Sequence, residues 1–295
     1  KYGIAMSNGT TALQAAVACI NLQPGDKVIM PSFTIISCAQ AIIYNGGIPL
    51  LVDCEPRTWC MDVQQVCEKA EAEMKSGGSK LKAIMPVHIY GHPVDMDPIL
   101  ELAEKYHLQI IEDAAEVHGA EYLTGLNTPQ PHWKRCGGLG HISTFSFYAN
   151  KLITTGEGGM VLTNDPVYAD KARSLRNLCF LPEKRFLHKE LGHNFRLTNF
   201  QAAIGLGQLE RIDEIVARKR WMGQEYTERL KEIYNIQLPV EEAWAKSVYW
   251  MYGIVLDEST GMDAVHFARN LKAKGLDTRP FFLGMHEQPV FQKMG

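Results

Sequence analysis

The sequence has no apolar run approaching the roughly 20 residues a helix needs to cross a bilayer, which excludes an integral helical membrane protein and points to the cytoplasm. Its seven cysteines, Cys19, Cys38, Cys54, Cys60, Cys67, Cys136 and Cys179, include no CxxC pair. An odd, scattered set excludes a zinc or disulfide framework, fits a reducing compartment and leaves no metal site expected. An excess of one charge is missing too: 30 basic against 33 acidic residues give a formal net charge of −3. That balance makes no electrostatic case for nucleic acid or an anionic membrane as partner. No GxGxxG follows the first strand-like run, so a nicotinamide-type site has no support. Internal repeats and low-complexity segments are absent as well. The remainder, 295 residues at 46% hydrophobic, is ordinary globular composition with ample chain for a core. It begins with lysine and stops after "MHEQPVFQKMG" without a terminating element, and reads as a piece of a longer protein.

Strand-like and helix-like runs alternate through the first two thirds. "SNGTTALQAAVACI" opens with cap-type residues before Ala12, Leu13, Ala16, Val17 and Ile20 recur at helical spacing. "PGDKVIMPS" reads as turn and strand, "AQAIIYNGG" as a glycine-closed helix, and "IPLLVDCEP" as strand. An amphipathic helix in "DVQQVCEKAEAEMKSGG", a strand from Lys82 to Val87, a helix in "DMDPILELAEKYHL" and an acid-ended strand in "QIIEDAA" follow. This alternation predicts an α/β fold with a mostly parallel sheet covered on both faces, and ligands beyond the strands' carboxyl ends. "LNTPQPHWKRCGGLGH" reads as a loop, and "SFYANK" as an aromatic strand ending on Lys151. One long helix is expected from Thr198 to about Leu230. It leads into a smaller domain in which "SVYWMYGIVL" and "LDTRPFF" read as strands and "DAVHFARNLKAKG" as a helix. The expected division is residues 1–210 and 211–295.

Three sets of residues carry chemistry in this reading. Lys151, in "SFYANKLITTGEGGM", stands among residues small enough to admit a flat ligand; desolvation there would make its amine a better carbonyl nucleophile. Taken alone it is a surface lysine in a turn. Asp113 ends a hydrophobic strand, and a buried carboxylate asks for a cation; taken alone it is a cap or loop residue. Ala115 is small enough to face a flat ring, and Glu116 is either a ring partner or a surface acid. Ser7, Asn8, Gly9 and Thr10 lead into a helix, whose free N–H groups and dipole suit a phosphate as well as they suit an ordinary cap. Ser146, in a Ser–x4–Lys spacing with Lys151, adds a hydroxyl.

In order, "SNGTTAL", "PVHIYG", "EDAAEVHGA", "FSFYANKLITTGEGGM" and "GHNFRLTNFQAAIGLGQLERID" resemble the DegT/StrS family of pyridoxal phosphate-dependent sugar aminotransferases across nearly the whole chain. The resemblance implies the fold-type-I aminotransferase architecture: a large domain on a mostly parallel seven-stranded sheet, and a smaller α/β C-terminal domain, truncated here. It implies pyridoxal 5'-phosphate as cofactor, with Lys151 holding it covalently and then acting as acid and base. Asp113 would pair with the ring nitrogen and Glu116 would lie beside the ring oxygen. Gly9, Thr10 and Ser146 would hold the phosphate, and Asn194 would reach it from the partner of a homodimer. Where relatives carry a ring-stacking aromatic this chain has Ile35, with Phe33 as the substitute, and Leu123–Gly140 is longer than expected, as by an insertion. The implied partners are L-glutamate as donor and a nucleotide-linked 4-keto-6-deoxyhexose as acceptor, with GDP-4-keto-6-deoxymannose as the first choice. His88, Tyr90, His188, Arg279, Phe281 and His286 stand as weaker substrate residues, Arg279 for an acidic group. Two rival readings accompany this one: a 3-dehydratase, which carries histidine where Lys151 stands, and a non-catalytic regulatory or ligand-binding protein on the same fold.

Overall fold

The computed structural model describes residues 1–76, 78–126 and 128–294. Strand β1 (Tyr2–Met6) leads through Ser7 and Asn8 into helix α1 (Gly9–Cys19). Asn8 caps that helix: its side chain accepts the Thr11 N–H at 2.8 Å, and its own N–H donates to Thr11 Oγ1 at 3.2 Å. There follow β2 (Lys27–Pro31), α2 (Ser37–Tyr44), β3 (Ile48–Val52), α3 (Val63–Lys75), β4 (Leu81–Ile84), α4 (Asp97–Tyr106) and β5 (Gln109–Asp113). Next come β6 (Glu121–Thr124), β7 (His132–Arg135), β8 (Ile142–Ser146), β9 (Gly159–Thr163) and α5 (Pro166–Arg176).

Seven of these strands form one sheet in the order β1-β9-β8-β5-β4-β2-β3. The pairs β8–β5, β5–β4, β4–β2 and β2–β3 are parallel. β9 runs antiparallel to both β8 and β1. β1 therefore points the same way as the other five, and β9 alone is reversed. Six carboxyl ends share one edge, which gathers Gly9, Thr34, Asp113 and Ser146 although the chain scatters them. Val28, Ile29 and Met30 are all fully buried, as are Ile110 and Ile111. Consecutive strand residues point to opposite faces, so both faces of the sheet are covered. The covers are α1 packed with α2 and α5, and α3 packed with α4.

The structure departs from the sequence reading where tertiary contacts decide. The long helix is broken into α6 (Asn199–Leu209) and α7 (Ile212–Leu230), because Arg211 leaves helical dihedrals (φ −116°, ψ 17°). Beyond them lie β10 (Ile236–Gln237), β11 (Ala245–Lys246), β12 (Val255–Leu256), α8 (Ala264–Lys272) and α9 (Pro289–Gln292). β10 pairs with β12, whereas β11 joins β6 and β7. The insertion read as a loop thus holds a strand, β7, whose four residues are all exposed and so show no alternation; Asn127 of that segment lies outside the described residues. In "SVYWMYGIVL" only β12 is strand. Val248 and Trp250 are apolar because they plug the core, and Tyr249 turns the chain at φ 46°. "LDTRPFF" has no regular structure; Phe281 and Phe282 join an aromatic cluster with Phe33 and Tyr90. β8 ends at Ser146, not at Lys151, which sits in the loop that follows.

Candidate active site

The loop after β8 is closed at its base: the Phe147 N–H donates to Gly158 O at 2.7 Å, and the Thr155 N–H to Phe147 O at 2.9 Å. The small residues after Lys151 serve this packing. A Cβ on Gly158 would strike the Thr155 hydroxyl, and one on Gly159 would strike the Asn8 carbonyl. Across the same edge, a Cβ on Gly9 would lie 2.7 Å from the Ser146 Cβ and 3.0 Å from its Oγ. Glycine therefore lets the start of α1 close onto Ser146, beside N–H groups that have no acceptor within the helix. Thr10 is exposed next to this cradle, its hydroxyl 2.8 Å from Ser37 Oγ.

Asp113 is 2% exposed. Its Oδ1 accepts the Ala115 N–H at 3.0 Å and its Oδ2 accepts the Cys38 thiol at 3.2 Å. Among the described residues no cationic nitrogen stands within 4.0 Å of it. Burial pushes its carboxyl above the ordinary range, opposed by the Ala115 N–H, Cys38 and Lys151.

Lys151 Nζ lies 3.6 Å from Glu116 Oε1 and 3.7 Å from the centroid of the Trp250 indole. Trp250 also donates its Nε1–H to Asn150 O at 2.8 Å, fixing the residue before the lysine. The lysine side chain is 9% exposed, and desolvation lowers its pKa against the pull of Glu116 and Asp113. Glu116 accepts the Tyr90 N–H at 2.7 Å, and burial raises its pKa to about 7 despite Lys151. A 3.6 Å separation exceeds a charge-assisted hydrogen bond, so desolvation governs both groups.

This raised carboxyl has a thermodynamic consequence. Unfolded, Glu116 releases its proton near its ordinary 4.5, while the native protein keeps it to about pH 7. Its contribution is fully present below the unfolded value and is lost as pH rises through the folded one. Thermal scans of the cofactor-free protein should show melting temperature falling between pH 5 and 7 from this cause. Glu116→Gln, which keeps an acceptor for Tyr90, should flatten that slope; the wild-type slope in the variant would contradict the assignment.

The weaker substrate residues scatter. His88 is withdrawn as a substrate residue: it is fully buried, its Nδ1 accepts the Val94 N–H at 2.9 Å, and its Nε2–H donates to Glu112 at 2.9 Å. Glu112 also accepts from Gly137, Leu139 and Gly140. His88, Glu112 and Cys136 lie within metal-ligand range of one another, yet the histidine and carboxylate lone pairs are spent on this network. Tyr90 is buried at φ 53°, its hydroxyl accepting the Phe282 N–H at 3.1 Å, and it forms part of the aromatic floor with Phe33. Ile35 is exposed. His286 meets Ser32 Oγ at 2.6 Å and His188 meets Leu178 O at 2.8 Å. Arg279 is exposed. Asn194 is exposed too, accepting from Arg196 Nε at 2.7 Å.

Sequence reasoning missed Trp250, Cys38 and His118. No local pattern links Trp250 to a lysine far upstream. Cys38 reads as a small core residue, and its approach from α2 to Asp113 exists only in the folded protein. His118 is buried between Phe145 and Phe147 with both ring nitrogens unpartnered among the described residues. Burial, then Lys151, lowers its pKa to about 3, so it adds no positive charge near the lysine.

These residues fit pyridoxal phosphate. A cradle of helix N–H groups and a hydroxyl suits a phosphate. A buried carboxylate lacking a cation suits a protonated ring nitrogen. An amine of lowered pKa suits an aldehyde.

Comparison with known proteins agrees. The chain matches the DegT/DnrJ/EryC1/StrS aminotransferase family over residues 1–295. It is 44% identical over 293 residues to GDP-perosamine synthase of Caulobacter vibrioides, covering 99% of this chain and 74% of that protein. A crystal structure of a DegT/DnrJ/EryC1/StrS aminotransferase from Brucella abortus superposes with TM-score 0.87 at 30% identity, covering 99% of this chain and 74% of that one. NtdA of Bacillus subtilis, solved with bound cofactor PMP, superposes with TM-score 0.81 at 27% identity, covering 99% of this chain and 64% of that one. The chain belongs to the DegT/DnrJ/EryC1/StrS family of pyridoxal phosphate-dependent sugar aminotransferases.

Proposed function

We propose that the protein moves an amino group from L-glutamate to a nucleotide-linked 4-keto-6-deoxyhexose, with GDP-4-keto-6-deoxymannose as the first substrate to test. The observation that carries amine transfer is the desolvated Lys151 amine beside Glu116 and Asp113 at the sheet's carboxyl edge. The acceptor rests on the relative named GDP-perosamine synthase. Lysine at position 151 disfavours the dehydratase reading, and intact Lys151 and Asp113 disfavour a non-catalytic role.

When bound, pyridoxal phosphate supplies an electron sink for negative charge developing at the substrate carbon. Gly9, Thr10 and Ser146 would hold its phosphate, Asp113 would keep its ring nitrogen protonated, and Glu116 would lie by its ring oxygen. Lys151 would hold it covalently. With its amine free, Lys151 Nζ would take the donor's α-proton as general base and give it up again as general acid, in the reverse order for the keto sugar. Glu116 and the Trp250 face seat the ammonium that Lys151 becomes between transfers. Arg279 and Tyr90 remain candidate substrate contacts.

The homodimer belongs to the same proposal. Phe200, Ile204, Leu206 and Leu209 of α6 are exposed, and no residue of this apolar helix is buried. An apolar helix exposed on both sides needs a cover. A second copy is the occupant we propose, because the segment carrying Asn194 runs directly into α6, so a partner seated there would also receive Asn194. The combined change Phe200→Glu and Leu206→Glu should give monomers by light scattering and remove most activity. Fully active monomers would sink the role of Asn194, and an unchanged dimer would place the interface elsewhere.

The division into residues 1–210 and 211–295 and a cytoplasmic location are proposed as well. No helix among the described residues is long and apolar enough to cross a membrane. The functional test is an amine-transfer assay with glutamate against a panel of nucleotide keto-sugars, reading amino sugar and 2-oxoglutarate by mass spectrometry. Transfer to the GDP-linked 4-keto sugar is expected; transfer to none of the panel would overturn the reading.

A further inference from the structure

We propose that Cys38 is a positioning residue for the reaction, holding the Asp113 carboxylate ionised and oriented through a thiol hydrogen bond. The proposal rests on the reading of Asp113 as partner of the cofactor's ring nitrogen. Cys38 lies in the first turn of α2, fully buried, and its thiol donates to Asp113 Oδ2 at 3.2 Å. Buried Thr34 stands behind it, with Oγ1 3.5 Å from the sulfur. With the S–H committed to Asp113, the Thr34 O–H is the donor of the second link, so a directed chain runs from Thr34 through Cys38 to Asp113. The other carboxylate oxygen accepts the Ala115 N–H at 3.0 Å. Each oxygen thus has one protein donor, which fixes the plane of the group, and lone pairs remain for a cationic N–H.

The donor's chemistry suits the task. A thiol is a weak donor, so it orients the carboxylate without spending the basicity that a ring nitrogen needs opposite it. Burial, then the charge of Asp113, drives the Cys38 pKa well up, so the sulfur keeps its proton and remains a donor. Removing the donor makes an already proton-hungry carboxyl hungrier. The proton shared with the ring nitrogen then moves toward Asp113, and the ring loses the positive charge that makes it an electron sink.

The test uses the full chain loaded with pyridoxal phosphate carrying 15N at the ring nitrogen. The wild-type nitrogen should resonate at the protonated position. In Cys38→Ala it should move toward the neutral position, with kcat down about tenfold, the lower end for partners one layer from the reacting group, and KM for both substrates unchanged. Cys38→Ser should keep the wild-type resonance, because a hydroxyl donates from the same place. Cys38→Val fills the thiol's space without a donor; it should repeat the alanine result, and it replaces alanine if that variant fails to fold. Unchanged resonance and kcat in the alanine and valine variants would overturn the proposal, as would a serine variant that behaves like alanine. Cofactor attachment to Lys151 is scored separately, so a failed Cys38 series with that attachment intact overturns this inference alone.

Discussion

Lys151→Ala should lower kcat for amine transfer about ten-thousand-fold, the upper range for loss of a positioned acid–base group. Among the described residues of the site, the Lys151 amine combines near-complete burial with a lowered proton affinity, which suits it to move protons at the substrate carbon. Glu116 is raised to about pH 7 and stands 3.6 Å from that amine, yet it is tied to the Tyr90 N–H and cannot follow a substrate. Small amines added from solution should restore part of the rate, more for slender amines than for bulky ones, because the lysine's place is almost closed to solvent. Single-turnover rates with glutamate measure both effects. A variant within tenfold of wild type would mean that another group moves the protons.

Asp113→Asn should cost about 100- to 1,000-fold in kcat, the range for removing one preorganised electrostatic partner from a buried site. An amide keeps one acceptor oxygen, for the Ala115 N–H, and can turn its NH2 toward the Cys38 sulfur, a weak acceptor, but it carries no charge to hold a proton on the ring nitrogen. The same change should leave the cofactor-free protein as stable or more stable, because the wild type buries a carboxylate with two protein donors and, among the described residues, no cationic nitrogen within 4.0 Å. Losing activity without losing stability is the mark of a site built for a ligand rather than for folding. Steady-state kinetics and thermal melts of the same preparation test the pair of effects. A matching drop in both would reassign Asp113 to a structural role.

What was legible in the sequence follows from how local each signal is. The strand-to-helix alternation is local, so the parallel sheet could be read from it, as could the start of α1 at "SNGT". Asp113 and Lys151 each read alone as ordinary loop residues, and are singled out by the resemblance of their runs, taken in order, to the family. Their assembly at one edge was not legible, since it depends on β1 running parallel to β8 with reversed β9 between them. The glycines after Lys151 were read as making room for a ligand, whereas Gly158 and Gly159 make room for Thr155 and the Asn8 backbone. β7 escaped because an exposed strand has no hydrophobic period. Trp250 and Cys38 escaped for the opposite reason: they look like core, and only the fold brings them to Lys151 and Asp113. His88 looked like a ligand-facing histidine because the partners of its nitrogens, Glu112 of β5 and the Val94 N–H, meet it only in the fold, where the Gly137–Gly140 loop in turn holds Glu112.

The central claim is that Lys151 carries pyridoxal phosphate at the edge shared by Gly9, Asp113 and Ser146. The most direct measurement is borohydride reduction of the cofactor-loaded protein followed by peptide mass spectrometry. The account predicts the reduced cofactor on Lys151 and on no other lysine, with none retained in Lys151→Ala. Reduced cofactor found on a different lysine, or none retained in the wild type, would contradict it.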